Sequence, residues 1–561
     1  MTKLENYCIK WKIKINYTKT VYTIFTKSPK EAKKTLNVQI GDKKINKEEN
    51  PVCLGVDLDG RLTFSKQMEK LKQKASKRLK IVKRLASSKW GANKKNLRQM
   101  YLGYVRSVLE QHLALQSISS TSQQQKVDKV QNEAVKFISG GMKSSPIAAC
   151  EIDTIIEPLS LRRETSVVEM VERFRRSDID NPNRKIVDKW TPCDTIKQES
   201  ILKLEKKLQE KHHLPTNRER NAFFCKDMPP NKVILKPQIN LCLVEEVSKG
   251  KTDPVDLYQI GIKTIMSYPD NIHQVYTDGS AFKGTRNAGC GARIEFKDKT
   301  CDELAEPCGA LCGNYEAEAL GLQHALQKLT QTFENEPNKT ANCVIFSDSL
   351  SVLRILDEQN YATKATRDLA LQISSFLEQF DVVLYLQWIP SHCGIPGNER
   401  ADILAKKGAA KSQPEKPVSQ ATAKQILKSN STIEWHNRWA QHDKGRVMFK
   451  YLPKPNKNDP INSLERKDQV VIFRLRTNHI QLNAHLNRIL KDHQPACPLC
   501  GYNEETVHHF LFECPQLQDI RTQFLPPSPD RENSLYASKL QLIKTCRFFH
   551  EASHRRTRVQ A

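Results

Sequence analysis

Ile272-His273-Gln274-Val275-Tyr276-Thr277-Asp278-Gly279-Ser280 is the stretch on which the reading of this chain turns. Residues 272–277 are rich in β-branched and aromatic side chains, which suits a strand. They run straight into an acid, a glycine and a serine. Asp278 is therefore expected at a strand end, with Gly279 permitting a tight turn. Beyond it, Ala288-Gly289-Cys290-Gly291-Ala292-Arg293-Ile294-Glu295-Phe296 predicts a second strand, antiparallel to the first. Tyr315-Glu316-Ala317-Glu318 opens a helix running to residue 329, with Ala317, Leu320, Ala325 and Leu329 inward. Residues 342–346 read as a buried strand followed by Ser347-Asp348-Ser349. Residues 383–389 read as another, ending at Pro390-Ser391-His392, and Gly397-Asn398-Glu399-Arg400-Ala401-Asp402 starts a last helix.

Four carboxylates, Asp278, Glu318, Asp348 and Asp402, thus fall at strand ends or helix starts. In an α/β fold such points converge on one edge of the sheet. Clustered like charges repel unless a cation joins them, and carboxylate oxygens suit Mg²⁺ or Mn²⁺. Two such ions about 4 Å apart activate an attacking water and stabilise a leaving oxygen, which is phosphodiester hydrolysis chemistry. Taken singly, each acid reads better as a helix cap; the set of four does not. Glu316 competes with Glu318, but residues two apart lie on different helix faces and cannot share one site.

The order Thr-Asp-Gly-Ser, Glu in a helix, Ser-Asp-Ser after a strand, Trp388-Ile389-Pro390-Ser391-His392, then Gly397 to Asp402 resembles the ribonuclease H family. It looks most like the version in non-LTR, jockey-like retrotransposon polyproteins. The resemblance implies an α/β ribonuclease H-like fold, a mixed five-stranded sheet with helices on both faces. It also implies hydrolysis of the RNA strand of RNA–DNA hybrids with two Mg²⁺ (or Mn²⁺) ions. By the same resemblance Asp278, Glu318, Asp348 and Asp402 hold the metal, and His392 shuttles protons and helps product leave. Gly279, Ser280 and Asn398 would lie near the substrate backbone. The Glu318 assignment follows the family spacing to Ala325-Leu326. The stretch between Asp348 and His392 is short and lacks the basic helix that bacterial relatives insert there. A catalytically silent, nucleic-acid-binding remnant is the alternative reading.

Two flanking regions carry further signals. Cys497, Cys500, His509 and Cys514 form Cys-x2-Cys-x8-His-x4-Cys, a set suited to tetrahedral zinc in a structural role. The knuckle-like spacing resembles that of retroelements and selects His509, with His508 as the alternate. Cys301, Cys308 and Cys312 lack a fourth ligand nearby and read as buried thiols. At the other end, strands near 17–25 and 52–58 precede helices near 68–85, 95–115 and 122–138, the last stopped at Gly140-Gly141. Asn16-Tyr17-Thr18-Lys19-Thr20, Cys53-Leu54-Gly55-Val56-Asp57-Leu58-Asp59, Leu62-Thr63-Phe64, Tyr104 to Glu110 and Val130-Gln131-Asn132 resemble the palm end and thumb of the reverse transcriptase of those polyproteins. No Asp-Asp dipeptide occurs, so DNA synthesis is not expected.

The expected organisation is a reverse transcriptase remnant (1–165), a partly helical linker (166–268), the ribonuclease H domain (269–411), a basic linker with helices (412–485), a zinc-knuckle-like segment (486–520) and a basic C-terminal tail (521–561), loose over Ser553–Ala561. The 561 residues hold 89 Lys+Arg against 63 Asp+Glu. The first 100 alone carry 26 against 8, a field that favours a polyanion. The expected partners are RNA–DNA hybrid, nucleic acid generally and an intact reverse transcriptase of the same element. No membrane partner is expected, since no apolar run approaches the roughly 20 residues that span a bilayer. With no secretory signal at the start, the chain reads as intracellular, in nucleus or cytoplasm, its thiols reduced.

Overall fold

A computed structural model describes residues 2–26, 28–192, 199–220, 234–247, 252–361, 363–490, 492–527 and 530–560. The chain divides into two compact units. One comprises Met1–Met170, Pro192–Leu208 and Asn430–Ala561, the other Val171–Thr191 and Gln209–Ser429.

The second unit is built on a mixed sheet of strands β1 (Gln238–Asn240), β2 (His273–Phe282), β3 (Arg286–Glu295), β4 (Cys301–Leu311), β5 (Cys343–Ser347) and β6 (Leu384–Trp388). Their spatial order is β4-β3-β2-β5-β6-β1. The strands β2, β5, β6 and β1 run parallel, while β3 is antiparallel to both of its neighbours. Five helices accompany it: α1 (Pro254–Met266), α2 (Asn314–Asn335), α3 (Leu350–Asp357), α4 (Lys364–Gln379) and α5 (Pro396–Ala410). The period-2 alternation of the strands divides these helices between two faces. Val275, Ile345, Leu384 and Leu386 pack with Leu322, Leu326 and Leu329 of α2, Leu353 of α3 and Ile373 and Phe376 of α4. Tyr276, Val344 and Phe346 point the other way, into a cluster with Ile265 of α1 and Ala401 of α5. Every residue of β5 is buried, as a central strand covered on both faces must be.

Two expectations change here. The sheet has six strands, not five, and the sixth comes from the segment read as linker. β1 is a three-residue edge strand, Gln-Ile-Asn, held by backbone pairing to β6, so it leaves no apolar run in the sequence. Asp278 does not leave a strand end either. β2 continues through it to Phe282, and Asp278 pairs with Gly291 of β3. Only the parallel partner stops, since Ser347, the last residue of β5, faces Thr277. The turn lies later, at Lys283 and Gly284, both with positive φ.

The first unit joins the two ends of the chain. Leu71 and Leu79 of helix Ser65–Lys83 and Val127 and Ala134 of helix Thr121–Ser139 share one core with Phe473, Phe510, Leu542 and Phe548. Buried cations fasten the pieces. Arg466 donates to the carbonyls of Ile138 and Phe137 at 2.6 Å each and of Ser87 at 3.1 Å. It thereby satisfies the last turn of a helix, where carbonyls lack partners within the helix. Lys94 meets Asp153 at 2.9 Å, and Arg476 grips Asp459 through both carboxylate oxygens. Residues 430–485 are thus core, not linker. The tail is not loose: it forms helix Lys539–Gln560, which Arg555 ties to Asp519 and Arg556 to Glu505. Several of these contacts join residues far apart in the chain, Arg466 to Ile138 above all. The N-terminal strands shrink to two-residue ladders, Val21–Tyr22 with Asn46–Lys47 and Val52–Cys53 with Val56–Asp57.

Candidate functional site

Register brings the first two acids together. Thr277 of β2 and Ser347 of β5 are paired, so Asp278, on β2, and Asp348, one residue past the end of β5, come next to each other. The third acid arrives with α2. That helix crosses β2 at Gly279, where an added Cβ would lie 2.3 Å from the Glu318 nitrogen. Only glycine allows this approach, and the approach sets Glu318 beside Asp278. Carboxylate oxygens of Asp278, Glu318 and Asp348 lie within 4.8 Å of one another.

Asp402 is reached by a similar device. Gly291 faces α5 so closely that a Cβ would stand 2.3 Å from the Ala401 carbonyl. The Gly-Cys-Gly alternation in β3 is the sequence signal for this, and the strand reading passed over it. Asp402 sits near enough to Asp278 to interact with it by charge and hydrogen bond. It stands outside the three-oxygen cluster, and its Oδ2 accepts from Lys406 Nζ at 2.5 Å.

The electrostatics of the trio are those of an incomplete site. Burial, then the charges of Asp348 and Asp402, push Asp278 up to about 8. Burial, then Asp278 and Asp348, hold Glu318 well above the ordinary carboxylate range. Glu318 Oε2 is buried without a hydrogen-bond partner. Two acids in this state, with the Asp348 carboxylate beside them, fit a divalent cation, which would supply the positive charge and the missing oxygen partner.

The remaining expected residues are placed as follows. His392 is exposed, with φ of 52°, on the loop after β6. That loop lies close enough to Asp348 for its charge to act on the Cys393 thiol. Asn398 is buried in the first turn of α5, its Oδ1 without a partner. Ser280 is half-buried in β2. Gly279 is packed under α2. Glu316 turns away from the trio and accepts a hydrogen bond from Thr422 at 2.9 Å. Cys308 and Cys312 are buried, while Cys301 is exposed, contrary to the reading of all three as buried thiols.

A second cluster lies in the first unit. Ligand atoms of Cys497, Cys500, His509 and Cys514 fall within 4.8 Å of one another. Cys497 and Cys514 sulfurs are 3.9 Å apart, and Cys500 Sγ is 3.3 Å from His509 Nε2. Burial pushes the Cys514 thiol up to about 12 and holds the His509 imidazole below its ordinary value, hence neutral and able to ligate. His509 is 3% exposed and stacks on Tyr502, whereas His508 is 55% exposed and faces Glu513. Around the cluster, Arg521 donates to the carbonyls of Leu511 and Cys514 at 2.8 Å. The buried Glu505 accepts from the Asn483 amide and from Arg556. Cys497 and Cys514 belong to the main core of the unit, so the cluster is not a separate small domain.

Comparison with known proteins agrees with the geometry of the second unit. Residues 270–410 match the family described as RNase H. The chain is 31% identical over 160 residues to a ribonuclease H of Saccharomyces cerevisiae, covering 24% of this chain and 45% of that protein. It is 28% identical over 109 residues to a retrovirus-related Pol polyprotein from the type-1 retrotransposable element R1 of Bradysia coprophila, covering 18% of this chain and 10% of that protein. The chain therefore spans less than half the length of the first relative and a tenth of the second. RNase H1 from Halobacterium salinarum NRC-1 aligns over 24% of this chain and 96% of its own at 21% identity, with a TM-score of 0.20. Residues 270–410 of the second unit thus match the RNase H family and have a homologue among retrotransposon Pol polyproteins.

Proposed function

We propose that this chain hydrolyses the RNA strand of RNA–DNA hybrids, using Asp278, Glu318, Asp348 and Asp402 as metal-binding carboxylates. The observation that carries the reading is the acid trio, buried at Asp278 and half-buried at Glu318 and Asp348, in which Glu318 keeps an oxygen with no protein partner. Two Mg²⁺ or Mn²⁺ ions, when bound, supply an activated water and neutralise charge at the scissile phosphate. Asp278, Glu318 and Asp348 offer their oxygens from the depth of the site, and Asp402 offers its own from the rim by giving up Lys406. The water attacks phosphorus and the bond to the 3′-oxygen breaks, leaving a 5′-phosphate and a 3′-hydroxyl. His392, exposed on its loop, carries the proton from the attacking water towards the departing oxygen. Asn398 offers its free Oδ1 to a ribose 2′-hydroxyl, a donor that DNA lacks. Ser280 and the backbone at Gly279 flank the substrate strand.

The Cys497, Cys500, His509 and Cys514 set holds a structural zinc ion. With four positions filled, no open site is left for catalysis. Residues 1–165 are a remnant of the reverse transcriptase of a non-LTR, jockey-like element, and the lysine-rich helix Ser65–Lys83 grips nucleic acid. An intact reverse transcriptase of the same element is the partner that would supply hybrids. The test is the full chain with an end-labelled hybrid in Mg²⁺ and in Mn²⁺. Shortened RNA is expected, and intact RNA in both metals overturns the reading. Asp348→Asn should lower cleavage by at least about 10³-fold, since it removes one metal charge. Its circular dichroism spectrum should match that of the parent.

A further inference from the structure

The helix that carries Glu318 begins on a residue that cannot cap it. Gly313 is the N-cap of α2, with extended φ and ψ of −78° and 153°, and it has no side chain to offer. The usual reciprocal arrangement pairs a Ser or Thr at this position with a Glu three residues on, each bonding to the other's backbone N–H. Here the Glu is present, as Glu316, but the hydroxyl comes from elsewhere. Thr422 Oγ1 accepts from the Gly313 N–H at 3.0 Å and donates to Glu316 Oε2 at 2.9 Å. It bridges the Gly313 N–H to the Glu316 carboxylate, supplying through one hydroxyl the link that Glu at this position otherwise makes directly.

Thr422 lies twelve positions beyond the segment that matches the RNase H family. It is nevertheless 1% exposed and firmly held. Its own N–H donates to Ser419 Oγ at 3.1 Å, at the start of helix Gln420–Gln441. The chain leading to it is pinned along β4, the edge strand. Gln413 accepts from the Gly309 N–H at 2.9 Å, and Lys411 donates to the Ala305 carbonyl. Gln413 also donates to the carbonyls of Gly408 and Ala409 at the end of α5. A segment with no catalytic motif thus reaches the first turn of α2, and Glu318 sits two residues past Glu316.

We infer that Thr422 is a positioning residue for Glu318, and that the working nuclease extends at least to residue 422. The hydroxyl fixes the first turn of α2 against β2, so that Glu318 stays within 4.8 Å of Asp278 and Asp348. Without it, the N-terminus of α2 frays and the trio loosens, while the hybrid-binding surface is untouched. The inference rests on the nuclease reading for its consequence in catalysis, but not for its consequence in metal binding.

The experiment compares the full chain with Thr422→Val and Thr422→Ser by three measurements. Mn²⁺ binding is titrated by the loss of the free-ion paramagnetic resonance signal. Hybrid cleavage is measured for kcat and KM. Amide exchange is followed at Gly313. In Thr422→Val, the Mn²⁺ half-saturation should rise and kcat fall roughly fivefold, the scale of a lost helix cap. KM for hybrid should be unchanged and Gly313 should exchange faster. Thr422→Ser, which restores the hydroxyl, should return each value to within about twofold. Parent-like Mn²⁺ binding and Gly313 exchange in Thr422→Val overturn the inference. So does an equal loss in Thr422→Ser, which would assign the effect to packing. Should Thr422→Val fail to fold, Glu316→Ala, which deletes only the acceptor, must reproduce the weaker Mn²⁺ binding or the inference falls. A parent chain that binds Mn²⁺ yet leaves hybrid intact refutes the nuclease reading, and Mn²⁺ affinity alone then decides the role of Thr422.

Discussion

The carboxylate trio and the Cys/His cluster are both sets of ligand atoms within 4.8 Å, yet they are assembled in opposite ways. The acids come from β2, from α2 and from the end of β5, and they meet through strand register and glycine-mediated packing. The Cys and His ligands all lie between Cys497 and Cys514, on one short irregular stretch. The acids repel one another, so the surrounding fold must hold them against their own charge. Burial raises the Cys497 and Cys514 thiols and lowers the His509 imidazole, so these ligands are neutral where they stand, and the two cysteines join the core of their unit. The first site is therefore destabilising until a cation binds, while the second adds to its unit even before one does. A function-bearing site that costs stability and a structural site that supplies it is the contrast expected on general grounds.

The sharpest way to break this contrast is Glu318→Gln. It should abolish hybrid cleavage, by at least about 10³-fold, and at the same time raise the metal-free melting temperature of the second unit, because burial and the neighbouring acids disfavour an ionisable group at this position. A fall in melting temperature would mean that Glu318 contributes more by packing than it costs by repulsion. The converse variant is Cys514→Ala, which should remove bound zinc and lower the melting temperature of the first unit. The cleavage chemistry of the second unit should remain. His508→Ala should keep zinc at one ion per chain by mass spectrometry and His509→Ala should lose it. The reverse result would exchange their roles.

The smallest expected effect is a pH dependence confined to one side of the comparison. Asp278 is pushed up to about 8 in the folded chain, against about 3.9 when unfolded. Between those values the native state holds a proton that the unfolded state has released. Its contribution to stability is full below about pH 4 and is lost as pH rises through about 8. The metal-free second unit should accordingly melt at lower temperature at pH 8.5 than at pH 5 (values chosen to bracket the raised pKa). Saturating Mg²⁺ should remove the difference, and Asp278→Asn should flatten the profile. An unchanged slope in Asp278→Asn would assign the pH effect to other groups.

Much of the second unit was legible in the sequence. The strand around Val275, the helix carrying Glu318 and the helix carrying Asp402 follow from period and motif, because each buries a continuous apolar face. Three features were not legible. β1 has no side-chain pattern, being a backbone-paired edge. Asp278 reads as the end of a strand, because the glycine after it signals a turn; in the structure that glycine is needed for α2 to approach. The capping role of Thr422 has no local trace at all, since its partners are over a hundred positions away. The first unit was read least well. Residues such as Arg466 and Lys94 look like surface charge in a basic chain, and only their buried partners show otherwise.

By itself the sequence determined which residue types could do chemistry and roughly on which elements they lie, because periodicity and turn chemistry act over a few residues. Only the tertiary structure decided that three acids share one space while Asp402 turns to Lys406, that His509 and not His508 joins the cysteines, and that the two ends of the chain form one core. Those outcomes depend on burial and hydrogen bonding between residues distant in the chain, and these forces leave no mark on local pattern.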